Sequence, residues 1–179
     1  MYQIETLGFI AHPNCASRSI RGALEKRGAI KYGHHHKYDL EVIERCENVF
    51  CIIRNPYDLM YSWYYRTQAG PDAPGVMNFT DWLIYSFYSG APRHFEGPYD
   101  KLYYATHLCN WVCKFENLQH DFDQVMKASG LKPIGLRKIG QTAKKPVEPF
   151  AYRKLYTEEG KRLIEREYAE QLELGNYEF

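Results

Sequence analysis

Short apolar runs that stop at turn residues, each followed by a stretch of helical period, organise this chain. Leu7-Gly8-Phe9-Ile10-Ala11 stops at His12-Pro13, and Ile20 to Leu24 then opens a helix that Gly28 ends. Val49-Phe50-Cys51-Ile52-Ile53 stops at Arg54-Asn55-Pro56 and leads into another helix-like segment. A run rich in β-branched residues and bounded by a Pro turn predicts a buried strand of a parallel sheet. Further on, a strand ending near Phe115 precedes an amphipathic helix over about 119–128, with Phe122, Val125 and Met126 on one face. Residues 39–46 also read as a helix. So do residues 157–174, with Thr157 as cap, Glu158 and Glu159 in the first turn, and Gly175 as terminator. Leu163, Ile164, Tyr168 and Leu172 form that helix's apolar stripe. Strands are expected at 6–11, 29–32, 48–53 and 110–115. Alternating strands and helices predict an α/β fold, a mainly parallel sheet with helices on both faces.

The chemistry gathers at the ends of these strands. Arg54 falls at the carboxyl end of its strand, where open α/β sheets bind ligands. Ser62 lies about two helical turns further on, so both side chains can reach one anion. A charged fork and a hydroxyl at a strand end suit a phosphate. Ile53-Arg54-Asn55-Pro56-Tyr57-Asp58, followed by Ser62-Trp63-Tyr64, resembles the 3′-phosphate-binding motif of sulfotransferases. These enzymes use 3′-phosphoadenosine 5′-phosphosulfate (PAPS) as donor. The resemblance implies that Arg54 and Ser62 hold the 3′-phosphate, and that the sheet has the P-loop nucleotide-kinase-like architecture of that family.

A second segment lies upstream. His12-Pro13-Asn14-Cys15-Ala16-Ser17-Arg18-Ser19-Ile20 joins a strand to a helix through small residues, a layout that aims backbone N–H groups and a helix dipole at an anion. It is similar to the sulfotransferase loop that binds the 5′-phosphosulfate. Pro13, Ala16, Ser17 and Ser19 fit the family pattern, and Asn14 departs from it, standing where the family has Lys. The resemblance implies that Pro13, Asn14, Cys15, Ala16, Ser17, Arg18 and Ser19 form the donor loop. A neutral Asn can only hydrogen-bond the bridging oxygen. Loss of one electrostatic contact to a transition state costs on the order of 3 kcal/mol, about a hundredfold in rate. Arg18 or Arg21, on the same stretch, is the candidate replacement cation.

Between these segments stand His34-His35-His36 and Lys37. Neighbouring histidines seldom converge on one ion without other ligands, and the five Cys show no CxxC pair, so no metal site is expected. The segment resembles the His-x-His of sulfotransferases that act on sugars. This implies His36 as general base, with His34 as the second candidate, since neutral imidazole near pH 7 suits removal of a hydroxyl proton. Phe115-Glu116-Asn117-Leu118, then Asp121-Phe122, then Gly130-Leu131, is similar to a structural segment of the family in which Glu116 orients the loop. The resemblance also implies that Thr142, Lys144 and Lys145, in a late loop, close over the nucleotide. It extends to the Gly-Asn-Tyr-Glu-Phe ending at Phe179.

Residues 67–104 match no part of the family and form an aromatic-rich insertion. Trp82, Tyr85 and Ser89 fall on one helical face. The segment reads equally as a core helix with a loop, or as an acceptor wall whose aromatic platforms suit sugar rings.

Composition narrows the picture. The 179 residues are expected to form one domain. A net charge of +1 gives no reason to expect a nucleic-acid-coating surface. No apolar run reaches the ~18 residues that cross a bilayer, and five scattered Cys point to free thiols in a reducing cytoplasm. The expectation is a cytoplasmic enzyme that moves a sulfuryl group from PAPS to a hydroxyl-bearing acceptor, a saccharide, without metal, membrane or nucleic acid. One rival is a homologue that binds the nucleotide but has lost turnover at Asn14. The other is a kinase, which would need the GxxxxGK[ST] motif that this chain lacks.

Overall fold

The computed structural model describes residues 1–33, 38–68, 77–88, 105–139, 148 and 150–179. The chain divides into two compact units, Met1–Arg54 with Asp100–Gly140 and Asn55–Tyr99 with Gln141–Phe179.

The first unit is built on a five-stranded sheet: β1 (Tyr2–Ile4), β2 (Leu7–Ile10), β3 (Ile30–Lys31), β4 (Asn48–Ile53) and β5 (Trp111–Lys114), in the order β3-β1-β2-β4-β5. β2 pairs with β4 and β4 with β5 in parallel, whereas β1 runs antiparallel to both of its neighbours. Four of the five strands therefore point the same way, as the alternating pattern predicted. β4 lies between two strands, and Val49 to Ile53 are all buried, which is why its sequence is an unbroken apolar run. Edge strand β3 is exposed at both of its residues. Strand β1 was not expected from the sequence. It joins β2 through Glu5 and Thr6, and Glu5 takes φ 50° there without the Gly, Asn or Asp that would have announced a tight turn.

Both faces of this sheet carry helices. Val42 of α2 (Leu40–Glu44) packs on one face with Met1, Ile10, Val49, Cys51 and Ala105. On the other, Phe9 stacks on Phe50 at 4.7 Å, and Phe50 meets Phe122 of α5 (Leu118–Ala128) at 5.9 Å. The alternation of side chains along a strand assigns these two sets to opposite faces. Helix α1 (Ser17–Glu25) packs along β1, and Gly28 follows it at φ 86°, a left-handed position natural for glycine. Asp39 caps α2 by accepting the Val42 N–H at 3.3 Å.

The second unit is helical and aromatic. It holds α3 (Pro56–Gln68), α4 (Phe79–Tyr88), a 3-10 turn at Ala151–Lys154, α6 (Glu158–Glu167) and α7 (Ala169–Gly175). Tyr57 sits edge-on to Tyr156 and Phe179, and Tyr64 sits edge-on to Phe79 and Trp82. Thr157 caps α6 through the Gly160 N–H at 3.2 Å, as its position predicted. The expected single helix over 157–174 is two: Tyr168, at φ −121° and ψ 21°, breaks the run between α6 and α7. The left-handed terminator is Asn176 (φ 47°), with Gly175 the last helical residue. On α4 the buried face is Phe79, Trp82, Leu83 and Ser86, while Tyr85 is only half-buried and Ser89 lies outside the described residues. No helix among the described residues is long and apolar enough to cross a membrane.

Candidate active site

Strand β2 delivers the chain to the turn before α1. His12, two residues past the strand, is buried, and its Nδ1 lies 3.1 Å from the carbonyl oxygen of Ile52. That oxygen can only accept, so Nδ1 carries the proton. Two residues of the turn take left-handed backbone, Asn14 at φ 56° and Ala16 at φ 54°. Asn tolerates this region better than most residues, and Ala does not. Ala16 supplies no side-chain cap to α1, and its carbonyl accepts the Ser19 and Ile20 N–H groups at 2.9 and 3.2 Å. The amides of Ser17 and Arg18 lie in the first turn of the helix, at the positive end of its dipole, a position that can serve an anion.

The predicted loop residues divide by environment. Cys15 is fully buried, so its backbone alone faces the turn. Pro13 and Ser17 are half-buried and Arg18 is exposed. Ser19 is buried, and its hydroxyl accepts the Ile139 N–H at 3.4 Å. Arg21 pairs along the helix with Glu25 at 3.7 Å, which leaves Arg18 as the better-placed cation at the helix start.

Strand β4 runs parallel to β2, with Ile10 opposite Cys51, so the residues that follow the two strands emerge side by side. Arg54 is 5% exposed, and its Nη1 donates to the Asn14 carbonyl oxygen at 2.8 Å. The guanidinium lies over the Phe115 ring, 4.1 Å from its centre. Phe115 opens the 3-10 turn Phe115–Asn117 after β5, on which Glu116 is exposed. Asp121 ties this corner together: its carboxylate accepts the Lys114 N–H and the Asn117 side-chain amide, each at 2.8 Å. Ser62 is half-buried on α3, in the second unit.

Two buried thiols of the first unit are held neutral. A hydrogen bond with Cys109 and then burial push the Cys51 thiol well up, and burial followed by the Asp121 charge pushes Cys113 up to about 12. Neither is poised as a nucleophile. Among the described residues no three His, Cys, Asp or Glu side chains gather around a common point suited to a metal ion.

His34 and His36, the candidate bases, lie outside the described residues, as do Thr142, Lys144 and Lys145. Two participants were not anticipated as such. His12 followed the predicted strand directly, but nothing in its neighbours marked it as a buried tie to Ile52. Phe115 was read only as part of a structural segment beside Glu116, because an aromatic platform for Arg54 has no spacing signature.

The five-stranded sheet flanked by helices matches the sulfotransferase fold. In particular, the structure is similar to that of mouse sulfotransferase SULT7A1 complexed with PAP, with a TM-score of 0.62 and 10% identity, over 94% of this chain and 84% of that chain. No family model matches the sequence, and no curated protein matches it.

Proposed function

We propose that this chain is a PAPS-dependent sulfotransferase that moves a sulfuryl group to the hydroxyl of a saccharide. The observation that carries the reading is the strand–turn–helix at residues 10–19, docked by Arg54 from the end of the adjacent parallel strand. Its resemblance to a donor-nucleotide site is supported by the shared fold with a sulfotransferase complexed with PAP. The residues present suit such a donor. Ser17 and Arg18 offer amides at a helix N-terminus, Arg18 adds a cation, and Arg54 adds a planar fork with five donors.

In this reading the turn, with Pro13, Asn14, Cys15, Ala16, Ser17, Arg18 and Ser19, holds the 5′-phosphosulfate. Arg54 and Ser62 hold the 3′-phosphate. Thr142, Lys144 and Lys145 close over the nucleotide, and the Ile139 amide already rests on Ser19 three residues before Thr142. His36, with His34 as the alternative, takes the acceptor proton as the acceptor oxygen attacks sulfur. The bond from sulfur to the bridging phosphate oxygen breaks, and adenosine 3′,5′-bisphosphate leaves. Within the segment 67–104, α4 buries Phe79 and Trp82 as a core helix does, so the acceptor wall falls to the other aromatics of the segment.

Calorimetric titration with adenosine 3′,5′-bisphosphate tests the donor site directly. Micromolar binding is expected, weakened by about tenfold or more in Arg54→Ala. A folded wild-type protein that shows no binding would overturn the reading.

A further inference from the structure

We infer that Phe179 is a positioning residue for the donor site: with Glu178 beside it, it sets the start of α3, the helix that carries Ser62. The inference rests on the role proposed above for Ser62. Its basis is the fold of Gly175-Asn176-Tyr177-Glu178-Phe179, a run that the proposed reaction leaves unused. Asn176 takes left-handed backbone at φ 47°, and the Tyr177 N–H donates back to the Leu172 carbonyl at 2.8 Å. These features end α7 and turn the chain out of the helix. Gly175 permits a close turn, since a Cβ there would collide with the Tyr177 ring.

The turn brings Glu178 and Phe179 to the first residues of α3, all within the second unit. The Glu178 carbonyl accepts from the Asn55 side-chain amide at 3.2 Å. The oxygen of that amide accepts the Tyr57 N–H at 3.0 Å, a cap at the start of α3. The Phe179 ring sits edge-on to Tyr57 itself, with centres 5.0 Å apart, and edge-on to Tyr152 and Tyr156. Tyr156 in turn donates its hydroxyl to the Tyr57 carbonyl at 3.0 Å. Lys161 Nζ lies 4.2 Å from the centre of the Phe179 ring, and Arg153 Nη2 donates to the Phe179 main-chain oxygen at 2.6 Å. Phe179 therefore meets α3 through its ring, while Glu178 meets it through the cap. Contacts at two points of the first turn fix both where the helix begins and how it is rotated. Ser62 lies about two turns further along the same stiff rod, so the place of its hydroxyl follows from that start.

The test compares affinity for adenosine 3′,5′-bisphosphate with affinity for adenosine 5′-monophosphate, which lacks the phosphate assigned to Ser62. Phe179→Ala is expected to narrow the preference for the bisphosphate by about threefold or more, the worth of one ordinary hydrogen bond. The narrowing should come from weaker bisphosphate binding, with monophosphate binding unchanged. Asn55→Ser is the second variant, in case Phe179→Ala does not fold. It keeps an oxygen to cap α3 but has no amide to reach Glu178, and it should narrow the preference likewise. The double variant should lose no more than the larger single loss, because one chain of contacts is cut twice. A folded variant of either kind that keeps the wild-type preference refutes the inference, and so do losses that multiply in the double variant. A loss shared equally by both nucleotides refutes it too, as the mark of a merely structural role. In each of these cases a wild type that prefers the bisphosphate leaves the donor-site reading standing. A wild type without that preference removes both.

Discussion

Asn14 carries two properties that pull in different directions. Its φ of 56° favours Asn over a long aliphatic side chain, and its neutrality leaves the turn without the cation that the resembling loops have there. The bond from Arg54 reaches its backbone oxygen, so the side chain can be exchanged without removing that tie. Asn14→Lys is therefore expected to destabilise the fold by on the order of 1 kcal/mol through its backbone conformation. The same variant should speed release of adenosine 3′,5′-bisphosphate from PAPS by up to about a hundredfold, the value of one well-placed contact to the departing charge. Asn14→Gly separates the two effects, since it relaxes the backbone without adding charge and should leave turnover no faster. Thermal unfolding and nucleotide release, measured on the three proteins, check this. An Asn14→Lys protein with unchanged release would mean that Arg18 already supplies the charge.

The elements show which parts of this architecture a sequence can announce. β4 was legible because a strand covered on both sides must be apolar throughout, and α5 because Phe122, Val125 and Met126 recur at helical spacing and are all buried. β1 was not, since its turn places Glu5 in left-handed backbone with no residue that signals it. The break at Tyr168 was hidden for a different reason: the apolar stripe runs through it, and Tyr168 still donates its N–H to Ile164 at 2.9 Å. The strand–turn–helix at residues 10–19 could be read from the sequence, whereas the bond between Arg54 and Asn14 depends on the parallel pairing of β2 with β4, a long-range fact. Asp121 belongs to the same class. It looked like one more acidic residue in a first helical turn, yet it receives both the Lys114 N–H and the Asn117 amide. Removing it takes an acceptor from the half-buried Lys114 N–H, where β5 gives way to the Phe115 corner. Asp121→Ala should cost about 1–3 kcal/mol, against less than about 0.5 kcal/mol for Asp123→Ala, whose bond is to the exposed Gln119. Urea unfolding of both variants measures the difference; equal losses would mean that Asp121 acts only through the helix dipole.

Across the whole molecule, the acids that the fold keeps protonated set its behaviour in alkali. In the first unit the Cys51 thiol is held up by its hydrogen bond with Cys109 and by burial, and Cys113 by burial and the Asp121 charge, to about 12. In the second unit burial, and then Glu165, push the Tyr57 hydroxyl up to about 12, and burial with a hydrogen bond to Tyr65 raises Tyr61. Each of these groups ionises more readily in the unfolded chain than in the folded one. Above the unfolded values, about 8.5 for Cys and about 10 for Tyr, the unfolded state loses protons that the folded state keeps. Stability then falls with pH, because its slope follows the protons bound in the unfolded state minus those bound in the folded state. The contribution of these groups is fully present below pH of about 8 and is lost progressively as pH rises toward about 12. Unfolding temperature should accordingly be level from these groups at neutral pH and decline from about pH 9 upward, by about 2–4 °C for each kcal/mol lost in a chain of this size. Cys113→Ala removes one of the groups and should flatten the first part of the decline, between about pH 9 and 10, where thiols titrate ahead of phenols. A melting temperature that stays constant through about pH 10.5 in the wild type, or a decline that Cys113→Ala leaves untouched, would show that the buried thiols do not resist ionisation as their surroundings dictate.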